Sequence, residues 1–479
     1  MEKKNDAITS RDVDFAKWYT DVCRKADLME YYSVKGFIEY LPYSYAMWEE
    51  IQNYLNGRFK ENGAENVYLP MVIPASVFNK EKEHVEGFAP ECLVATIGGG
   101  NQLTDPLIIR PTSETIFSEL FKKRINSYRD LPIRYNQWCS VVRWEKTTRP
   151  FLRGAEFLWQ EGHCLFETEE EAQKNSIDML HVYNDLGKDL LAIPFLMGEK
   201  TEHERFAGAK DTYTVEALMH DGKALQSGTS HYLGQGFAKA AEVSFLGRKN
   251  ALETPYQTSW GVSTRLLGAI IMVHGDDNGL VLPPYVAPIQ AVIVPVRMQT
   301  PGVLEACRKL YEEIKAQGIR VKLDDDENRT PGWKFAQYEM KGVPLRIEVG
   351  PRDLEKGEAL LTTRVDGKKE AVKIEGLASS MPAILKDIHN RMYQKALDNL
   401  NAHISEANTL EEMAAILDQK GGFVKFAYDG RPETEDIIKA KTNGATARCI
   451  FEKLPADSDK VDPVTGNKAM VIAYFARAY

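Results

Sequence analysis

The first seventy residues show apolar positions at helical spacing, interrupted by strand-like segments. The stretch 12–30 predicts a helix with a rough apolar stripe. The stretch 44–63 predicts an amphipathic helix, with Ser44 as its N-cap and Asn62-Gly63 as its end. The apolar side of this second helix comprises Met47, Trp48, Ile51, Tyr54, Leu55 and Phe59. "GFIEYLP" before this helix and "VYLPMVIP" after it predict strands, the second one ended by prolines.

From Leu107 to about Pro284, short strand patterns alternate with turns, which predicts an antiparallel sheet with helices on it. The proline-punctuated segment 279–288 is typical of a linker. After it the rhythm becomes strand, helix, strand, as in a compact α/β domain, with a hairpin turned at Asp366-Gly367.

The last hundred residues predict a smaller α/β unit. A long helix is expected from about Met381, and a second helix is expected after Thr409, with Glu412 at the capping-box spacing. "AMVIAYFARAY" closes the sequence as a strand. The pattern as a whole predicts three parts, at 1–284, 288–380 and 381–479.

Composition narrows the class of protein. The 479 residues are 43% hydrophobic and 27% charged, which is ordinary for a globular protein of several domains. No run of eighteen apolar residues predicts a membrane helix, and the amino-terminal segment lacks the apolar core of a secretory signal. Six scattered cysteines without a CxxC pair predict a reducing, cytoplasmic compartment. Because the net charge is −9, any contact with RNA must come from a local basic patch.

One segment, "VVRWEKTTRPFLRGAEFLWQEGH" from Val141 to His163, sets charges among strand-forming apolar residues. Side chains two apart on a strand share a face, so Arg143 and Glu145 are expected on one face. Trp159, Glu161 and His163 should share a face of the returning strand. The alternative is a hairpin with surface ion pairs. Acidic and aromatic residues together favour a pocket for an organic cation, and the basic loop between the strands could cover an anion.

This segment resembles motif 2 of the class II aminoacyl-tRNA synthetases. "SWGVSTRLLGAIIMVHGDDNGLVLPP" (259–284) is similar to motif 3, with Arg265 as its arginine, and the helix ending in "YLPMVIP" is similar to motif 1, with Pro70. "RPTSET" (110–115) and "LQSGTSHYLGQGFAK" (225–239) resemble the prolyl-tRNA synthetases in particular. The resemblance implies an α+β catalytic domain of the class II fold, an α/β anticodon-binding domain and a small α/β C-terminal domain.

The implied reaction activates L-proline with ATP and passes the prolyl group to the 3′ end of tRNA(Pro). Because proline's own carboxylate attacks the α-phosphorus, positioning and charge must supply the catalysis. The resemblance makes Arg143 and Arg265 the catalytic residues, the first on the α-phosphate and the proline carboxylate, the second on the γ-phosphate. The other ATP-binding residues it implies are Glu145, Arg153, Gln226, Thr229 and Ser263, with Mg²⁺ near Gln226.

Proline recognition requires an apolar slot and acceptors for a secondary ammonium. Thr112, Glu114 and Glu161 are expected to accept its hydrogen bonds, and Gly261 to let the backbone approach the substrate. The other proline-contacting residues implied by the resemblance are Arg143, Trp159, His163, Phe206, His231 and Ser259. The interval from His163 to Gln226 is too short for an inserted editing domain, as in the archaeal and eukaryote-like type of the family.

For the tRNA, the resemblance implies that Glu339, Arg346 and Lys368 read the anticodon guanines; from spacing alone they are surface charges. The C-terminal region departs from the family, because relatives bind zinc there through four cysteines and this sequence offers only Cys449. No zinc is therefore expected. Tyr479 is similar to a terminal tyrosine that turns back toward the catalytic domain.

Two other interpretations stay open at this point. A threonyl-type synthetase would hold its substrate on a Cys/His zinc site, for which "RPTSET" offers no ligand. A non-catalytic synthetase-like protein usually lacks a phosphate-binding arginine, whereas Arg143, Arg153 and Arg265 are all present. The family resemblance also implies a homodimer that rests on the helix and strand of motif 1.

Overall fold

The computed structural model describes residues 8–84 and 91–479. The helices are α1 (Phe15–Lys25), α2 (Pro42–Glu61), α3 (Ala75–His84), α4 (Glu114–Arg124), α5 (Glu169–Leu186), α6 (Gly236–Ala240), α7 (Arg265–His274), α8 (Val303–Ala316), α9 (Pro331–Met340), α10 (Pro351–Glu355), α11 (Leu377–Ala402), α12 (Leu410–Gln419) and α13 (Pro432–Lys441). The strands of the amino-terminal half are β1 (Met29–Tyr31), β2 (Ile38–Tyr40), β3 (Glu65–Asn66), β4 (Val72–Pro74), β5 (Val94–Gly98), β6 (Asn101–Ile109), β7 (Ile133–Val142), β8 (Glu156–Phe166), β9 (Leu196–Glu199), β10 (Asp211–Leu218), β11 (Ala224–Gly234), β12 (Phe245–Leu246), β13 (Leu252–Glu253) and β14 (Tyr256–Ser263). The remaining strands are β15 (Ala291–Pro295), β16 (Val321–Leu323), β17 (Leu345–Val349), β18 (Glu358–Thr363), β19 (Lys369–Lys373), β20 (Ile404–Glu406), β21 (Phe423–Tyr428), β22 (Thr446–Lys453) and β23 (Val471–Ala476).

A seven-stranded sheet forms the centre of the molecule, in the order β3-β7-β8-β14-β11-β10-β9. Its pairs are antiparallel except for the short β3, which runs parallel to β7. Helices α2, α5 and α7 cover one face and bury the largest apolar core. The strands alternate accordingly: on β8, Gln160 and Gly162 face these helices, where Gln160 accepts a hydrogen bond from Tyr183. The opposite face is left for the site.

The amino-terminal predictions need two corrections. Helix α1 is shorter than the predicted 12–30, because the chain turns after Lys25 and Met29 begins strand β1. Ser44 is not the N-cap of α2, because Pro42 already occupies the first turn. The buried Ser44 hydroxyl instead donates to the carbonyl of Leu28 at 2.6 Å, which ties α2 to the preceding turn.

The hairpin of β7 and β8 forms as predicted, but the alternation of side chains between the two faces ends before Arg143 and Glu145. Strand β7 ends at Val142, so the residues after it no longer follow the pleat. Trp144, expected on the same face as Val142, is therefore 48% exposed while Val142 is buried.

The next part of the chain packs a five-stranded sheet, β16-β15-β17-β18-β19, against helices α8 and α11. The predicted hairpin joins β18 to β19, with Gly367 in the left-handed region at φ 66°. The segment 279–288 has no regular structure, yet Leu280, Leu282 and Val286 are buried. It joins the two sheets by packing between them, so it is not a free linker.

The C-terminal part forms a four-stranded sheet, β20-β21-β23-β22. Helix α11 begins at Leu377, before the predicted Met381, and Thr409 caps α12 by accepting from the backbone of Glu412 as predicted. This sheet packs on the edge strand β9 of the central sheet. The contact is close, since a Cβ at Gly198 would lie 2.8 Å from the Cβ of Cys449.

The final residues join the central sheet. The backbone of Tyr479 donates to the carbonyl of Ala224, and the Tyr479 hydroxyl donates to Asp221 at 2.5 Å. The guanidinium of Arg149, in the loop between β7 and β8, lies 5.3 Å from the Tyr479 ring centre. Tyr479 therefore turns back onto the catalytic part, as the family resemblance implied.

Candidate active site

A cleft of about 320 Å³ opens on the uncovered face of the central sheet. Strands β8, β10, β11 and β14 supply most of its lining, together with the start of α4 and the residues that follow β7 and β9. Of the residues predicted for proline and ATP, those that line it are Thr112, Glu114, Arg143, Trp159, Glu161, His163, Phe206, Gln226, Thr229, His231, Ser259, Gly261, Ser263 and Arg265. Residues from well-separated motifs thus meet in one cavity.

Glu161 is the most heavily bonded acid of the cleft. Its Oε1 accepts from Ser113 at 2.5 Å and from Gln137 at 3.0 Å, and its Oε2 lies 3.0 Å from Nε2 of His163. Burial acts to raise the pKa of Glu161, but these hydrogen bonds outweigh it and the pKa is lowered. The cleft therefore holds a fixed negative charge at neutral pH.

Glu114 offers a second buried carboxylate. It is the first residue of α4 and accepts a hydrogen bond from the Thr112 hydroxyl at 2.6 Å. The amino end of a helix favours a negative side chain, which stabilises the carboxylate there. Glu114 and Glu161 together form an acidic wall suited to an organic cation.

Two arginines line the same cleft as this acidic wall. Arg143 donates to the carbonyl of Pro111 at 3.0 Å, and its guanidinium carbon lies 5.4 Å from the ring centres of both Phe157 and Trp159. Arg265, at the start of α7, donates to the carbonyls of Leu152 and Gln226. No carboxylate within the described part of the chain forms an ion pair of 4.0 Å or less with either arginine, which leaves their charge available to an anion.

Burial is the main cause that shifts the pKa values of the two arginines. Burial lowers the pKa of Arg265 to about 10, and the charges of Arg153 and Arg143 add to the effect. Burial also lowers the pKa of Arg143, against the opposing carboxylates of Glu114, Glu145 and Glu161. Bound phosphates would offset the repulsion between Arg265 and the neighbouring Arg143 and Arg153.

The cleft also has a neutral part beside the acidic wall, because His231 pairs with Ser259 on β14 and Ser259 pairs with His163 on β8. His231 bonds through Nδ1 to the Thr212 hydroxyl at 3.0 Å, and its ring centre lies 4.7 Å from that of Phe206. Burial lowers the pKa of His231 to about 3, so the ring is uncharged at neutral pH. The Oγ of Ser259 is buried and has no hydrogen-bond partner within the described residues, so it is available to a ligand.

Two residues predicted for ATP lie outside the cleft lining. Glu145 and Arg153 face each other at 4.0 Å at its rim, and both are partly exposed. Arg153 lines a separate depression beside Phe157. Both lie in the loop between β7 and β8, which the structure places beside the main cavity and not in its lining.

The sequence did not predict several of the residues that line the cleft. They are Phe157, Lys200, Glu204, Thr212, Ser227, Gly228, Trp260 and Val262. Phe157 carried a usable signal, since it lies two residues before Trp159 on the predicted strand. Lys200 and Thr212 belong to the β9–β10 edge of the sheet, and no local pattern pointed to them.

A second cavity, of about 270 Å³, lies on the five-stranded sheet. Of the three residues that the resemblance assigns to the anticodon, Glu339 and Arg346 line this cavity and Lys368 does not. Lys368 lies just before β19 and pairs with Glu370 on the surface, whereas its neighbour Lys369 lines the cavity.

Known proteins resemble this chain throughout its length. A family model for the class II core domain of the tRNA synthetases (G, H, P, S and T) matches residues 99–274, an anticodon binding domain matches 290–383, and a prolyl-tRNA synthetase C-terminal domain matches 410–479. Proline–tRNA ligases from Ruminiclostridium cellulolyticum and Alkaliphilus oremlandii are 54% and 51% identical, over 100% of this chain and 99% and 100% of theirs. The chain belongs to the prolyl-tRNA synthetase family.

A solved relative has the same architecture. The prolyl-tRNA synthetase of Cryptosporidium parvum, in complex with halofuginone and AMPPNP, superposes with a TM-score of 0.95 at 37% identity, covering 100% of this chain and 99% of that one. The predicted class II fold is thus confirmed. So is the type of prolyl-tRNA synthetase without an inserted editing domain, since α5, β9 and β10 fill the interval from His163 to Gln226. The bacterial relatives show that this type is not confined to archaea and eukaryotes.

The C-terminal part matches the prolyl-tRNA synthetase model although it lacks the zinc-binding cysteines. Cys449 is buried in apolar contacts, and burial raises its pKa to about 12. No group of three or more His, Cys, Asp or Glu side chains within residues 8–84 and 91–479 is arranged to hold a metal ion. In the same ranges, no helix has the length and apolar character needed to cross a membrane.

Proposed function

We propose that this chain joins L-proline to tRNA(Pro), using ATP. The observation that carries the proposal is one cleft that holds both a buried acidic wall and two arginines, neither of which forms an ion pair within the described residues. An acidic wall suits the ammonium of an amino acid, and the arginines suit its carboxylate and the phosphates of ATP. The relatives named proline–tRNA ligase, at about half identity over the whole chain, support the same substrates.

Proline would bind at the end formed by Thr112, Glu114 and His231. Glu114 and Thr112 accept hydrogen bonds from the secondary ammonium, and Glu161 adds its negative charge from behind. The rings of Trp159 and Phe206 bound the slot for the pyrrolidine ring, and the neutral His231 adds an uncharged wall. Ser259 and Gly261, on β14, lie at its base.

Activation then requires no protein nucleophile. A carboxylate oxygen of proline forms a bond to the α-phosphorus, and the bond from that phosphorus to the β-phosphate oxygen breaks to release pyrophosphate. Arg143 binds the proline carboxylate and the α-phosphate, which aligns the two reacting atoms. Arg265 binds the outer phosphates, and the prolyl group passes afterwards to the 3′ end of the tRNA.

Magnesium would come with ATP. Mg²⁺ favours oxygen ligands and usually retains phosphates and waters in its shell. The side-chain oxygens of Gln226 and Thr229, beside Arg265, fit such a site as neutral ligands, whereas the buried Glu216 on the paired strand is already bonded to Arg448 and Lys200. The ion would neutralise phosphate charge there.

The second cavity would receive the anticodon. A carboxylate can accept from the N1 and N2 hydrogens of guanine, and an arginine can donate to its O6 and N7. Glu339 and Arg346 supply these groups, and Lys369 is a better candidate than Lys368 because it lines the cavity. The three predicted parts, 1–284, 288–380 and 381–479, would then divide catalysis, anticodon reading and support of the catalytic edge.

The working unit would be a homodimer in the cytoplasm. Tyr68 and Met71, in the segment similar to motif 1, are 71% and 47% exposed. Exposed apolar side chains close together are typical of an interface. The six free cysteines support a reducing compartment.

Proline-dependent exchange of pyrophosphate into ATP tests this proposal. We expect exchange with proline, much weaker exchange with alanine and none with threonine, followed by charging of tRNA(Pro) transcripts. Exchange that prefers threonine would favour the threonyl-type alternative. A folded protein that binds tRNA but exchanges with no amino acid would overturn the enzymatic proposal in favour of a non-catalytic role.

A further inference from the structure

Three charged side chains are buried together behind the cleft. Glu216 on β10 is fully buried, and Lys200 and Arg448 retain only 3% and 8% exposure of their side chains. Arg448 donates to Glu216 through Nε at 3.1 Å and through Nη2 at 3.0 Å. Nζ of Lys200 lies 3.5 Å from the other oxygen of Glu216, which also accepts from Thr214.

This cluster crosses from the C-terminal sheet into the catalytic part. Arg448 belongs to β22, whereas Lys200 follows β9 and lines the cleft. Breaking a buried ion pair by removing one partner leaves an uncompensated charge, which is costly. The orientation of Lys200 therefore depends on Glu216, and that of Glu216 on Arg448.

The cluster carries more positive than negative charge, and Lys200 presents this excess to the cleft. Two cations share the single carboxylate of Glu216, while the next acid, Glu204, is partly exposed at the cleft wall. Burial lowers the pKa of Lys200 and Glu216 opposes this effect. A buried cation with an incomplete counter-charge is suited to a ligand that brings a negative group.

Lys200 also occupies a central position along the cleft. Its backbone donates to Thr212, which bonds to His231 at the proline end. Its ion-pair partner Glu216 lies opposite Gln226, at the ATP end. Since β7 and β9 lie toward opposite sides of the sheet, Lys200 and Arg143 reach the cleft from opposite sides.

We propose that Lys200 binds the oxygens of the proline carboxylate and the α-phosphate during activation, and that Arg448 is a positioning residue that holds it through Glu216. The inference rests on the proposed function. Negative charge accumulates on the α-phosphate oxygens as the carboxylate–phosphorus bond forms and the bond to pyrophosphate breaks. Lys200 stays protonated throughout, and no proton is transferred.

Steady-state ATP–pyrophosphate exchange with the full chain tests the proposal. Lys200→Met should lower kcat by about 100-fold, as for the loss of one donor to a developing oxyanion. Arg448→Met should lower kcat by about tenfold, and Arg448→Lys should recover part of this loss. Lys453→Met is the matched control, since it removes an exposed ion pair between the same strands, β22 and β9, and should stay within about twofold.

The double variant Lys200→Met with Arg448→Met distinguishes two roles of Arg448, the positioning of Lys200 and a contribution to fold stability alone. Because Arg448 acts through Lys200, the double variant should be no slower than Lys200→Met alone. Multiplicative losses would show that Arg448 has only a structural role and would overturn its assignment. If Arg448→Met does not fold, Glu216→Gln, which keeps the side-chain shape, replaces it with the same expected result.

The two proposals fail in different ways. Absence of proline-dependent exchange in the unsubstituted chain would overturn the proposed function. Full exchange in that chain together with an unchanged kcat in Lys200→Met would overturn only the role of Lys200.

Discussion

Glu114 and Glu161 differ in the bonds they have left for a ligand. Glu161 already receives side-chain hydrogen bonds from Ser113, Gln137 and His163, whereas Glu114 receives one, from Thr112. A carboxylate can accept about four hydrogen bonds in all. Glu114 is therefore the better direct acceptor, and Glu161 acts more through its charge.

The family resemblance indicated which charged residues belong to one site, but it could not predict the hydrogen bonds that they form. Spacing along β8 showed that Glu161 and His163 share a face, because the period of a strand is two. Gln137 lies twenty-four residues from Glu161, and only the register of β7 with β8 places the two opposite each other. Lys200 was missed for the same reason, since its place depends on the pairing of β9 with β10.

Glu114→Gln should raise KM for proline by about 10- to 100-fold, because a hydrogen bond to a charged group contributes about 1.5–3 kcal/mol. KM for ATP should change little, since the proposed function places Glu114 at the proline ammonium and not at the phosphates. Pyrophosphate exchange at varied proline measures both constants. Glu119→Gln, on the exposed side of the same helix, is the control. Equal effects of the two substitutions would contradict the role of Glu114.

At the scale of elements, the local pattern predicted which segments form helices and strands better than it predicted where they end. The capped helix α12 and the Asp366-Gly367 hairpin were predicted because their signals are local. The end of β7 at Val142 was not, since it depends on the loop that follows. The order of strands in the central sheet, with β14 between β8 and β11, follows from contacts between distant segments.

The close packing of β8 on β14 gives a prediction for Gly162. A Cβ at this position would lie 2.2 Å from the ring of Trp260, so Gly162→Ala should destabilise the catalytic part by about 1–3 kcal/mol. Thermal unfolding followed by circular dichroism measures the loss. Gly57→Ala on the exposed side of α2 is the control; it meets no atom within 4 Å and should be neutral or slightly stabilising. A Gly162→Ala variant as stable as Gly57→Ala would contradict this packing.

The last residue of α7 makes stability depend on pH. Burial lowers the pKa of His274 to about 4, and its Nε2 bonds to the carbonyl of Leu191. The unfolded chain takes up a proton below about pH 6.5 while the folded chain does not, so stability falls as the pH falls from 6.5 toward 4. His274→Gln keeps a donor for Leu191 and should remove about 2 kcal/mol of the loss between pH 6.5 and 5.

Urea unfolding of the two proteins at pH 7 and pH 5 measures this difference. His403→Gln is the control, because His403, the C-cap of α11, is partly exposed and bonds to the carbonyl of Asn399 in the last turn of that helix. An unchanged pH dependence in His274→Gln would show that other groups cause the loss.

At the scale of the whole molecule, the three largest sheets depend on one another through buried contacts. Arg364 on the second sheet donates to both oxygens of Asp276, just after α7, and to the carbonyl of Glu339 beside the second cavity. The segment 279–288 is buried between the same two parts. The sequence predicted the sheets separately, because contacts between distant segments leave no local pattern.

The exposed apolar residues of the motif 1 segment give a prediction for assembly. The unsubstituted chain should sediment at twice the 54.1 kDa of one chain, and Tyr68→Glu with Met71→Glu should sediment as a monomer. Two buried charges without partners would oppose association. Leu252→Glu is the control, since Leu252 is also exposed but lies on β13. A double variant that remains dimeric would place the interface elsewhere.

The packing of β22 on β9, where Gly198 meets Cys449, also opposes aggregation of the protein. Strand β9 ends the central sheet, and its free backbone groups would otherwise offer a template for pairing with another chain. A proteolytic fragment that ends before the C-terminal sheet would leave this strand uncovered. Such a fragment would tend to aggregate, so the C-terminal sheet contributes to solubility as well as to the position of Lys200.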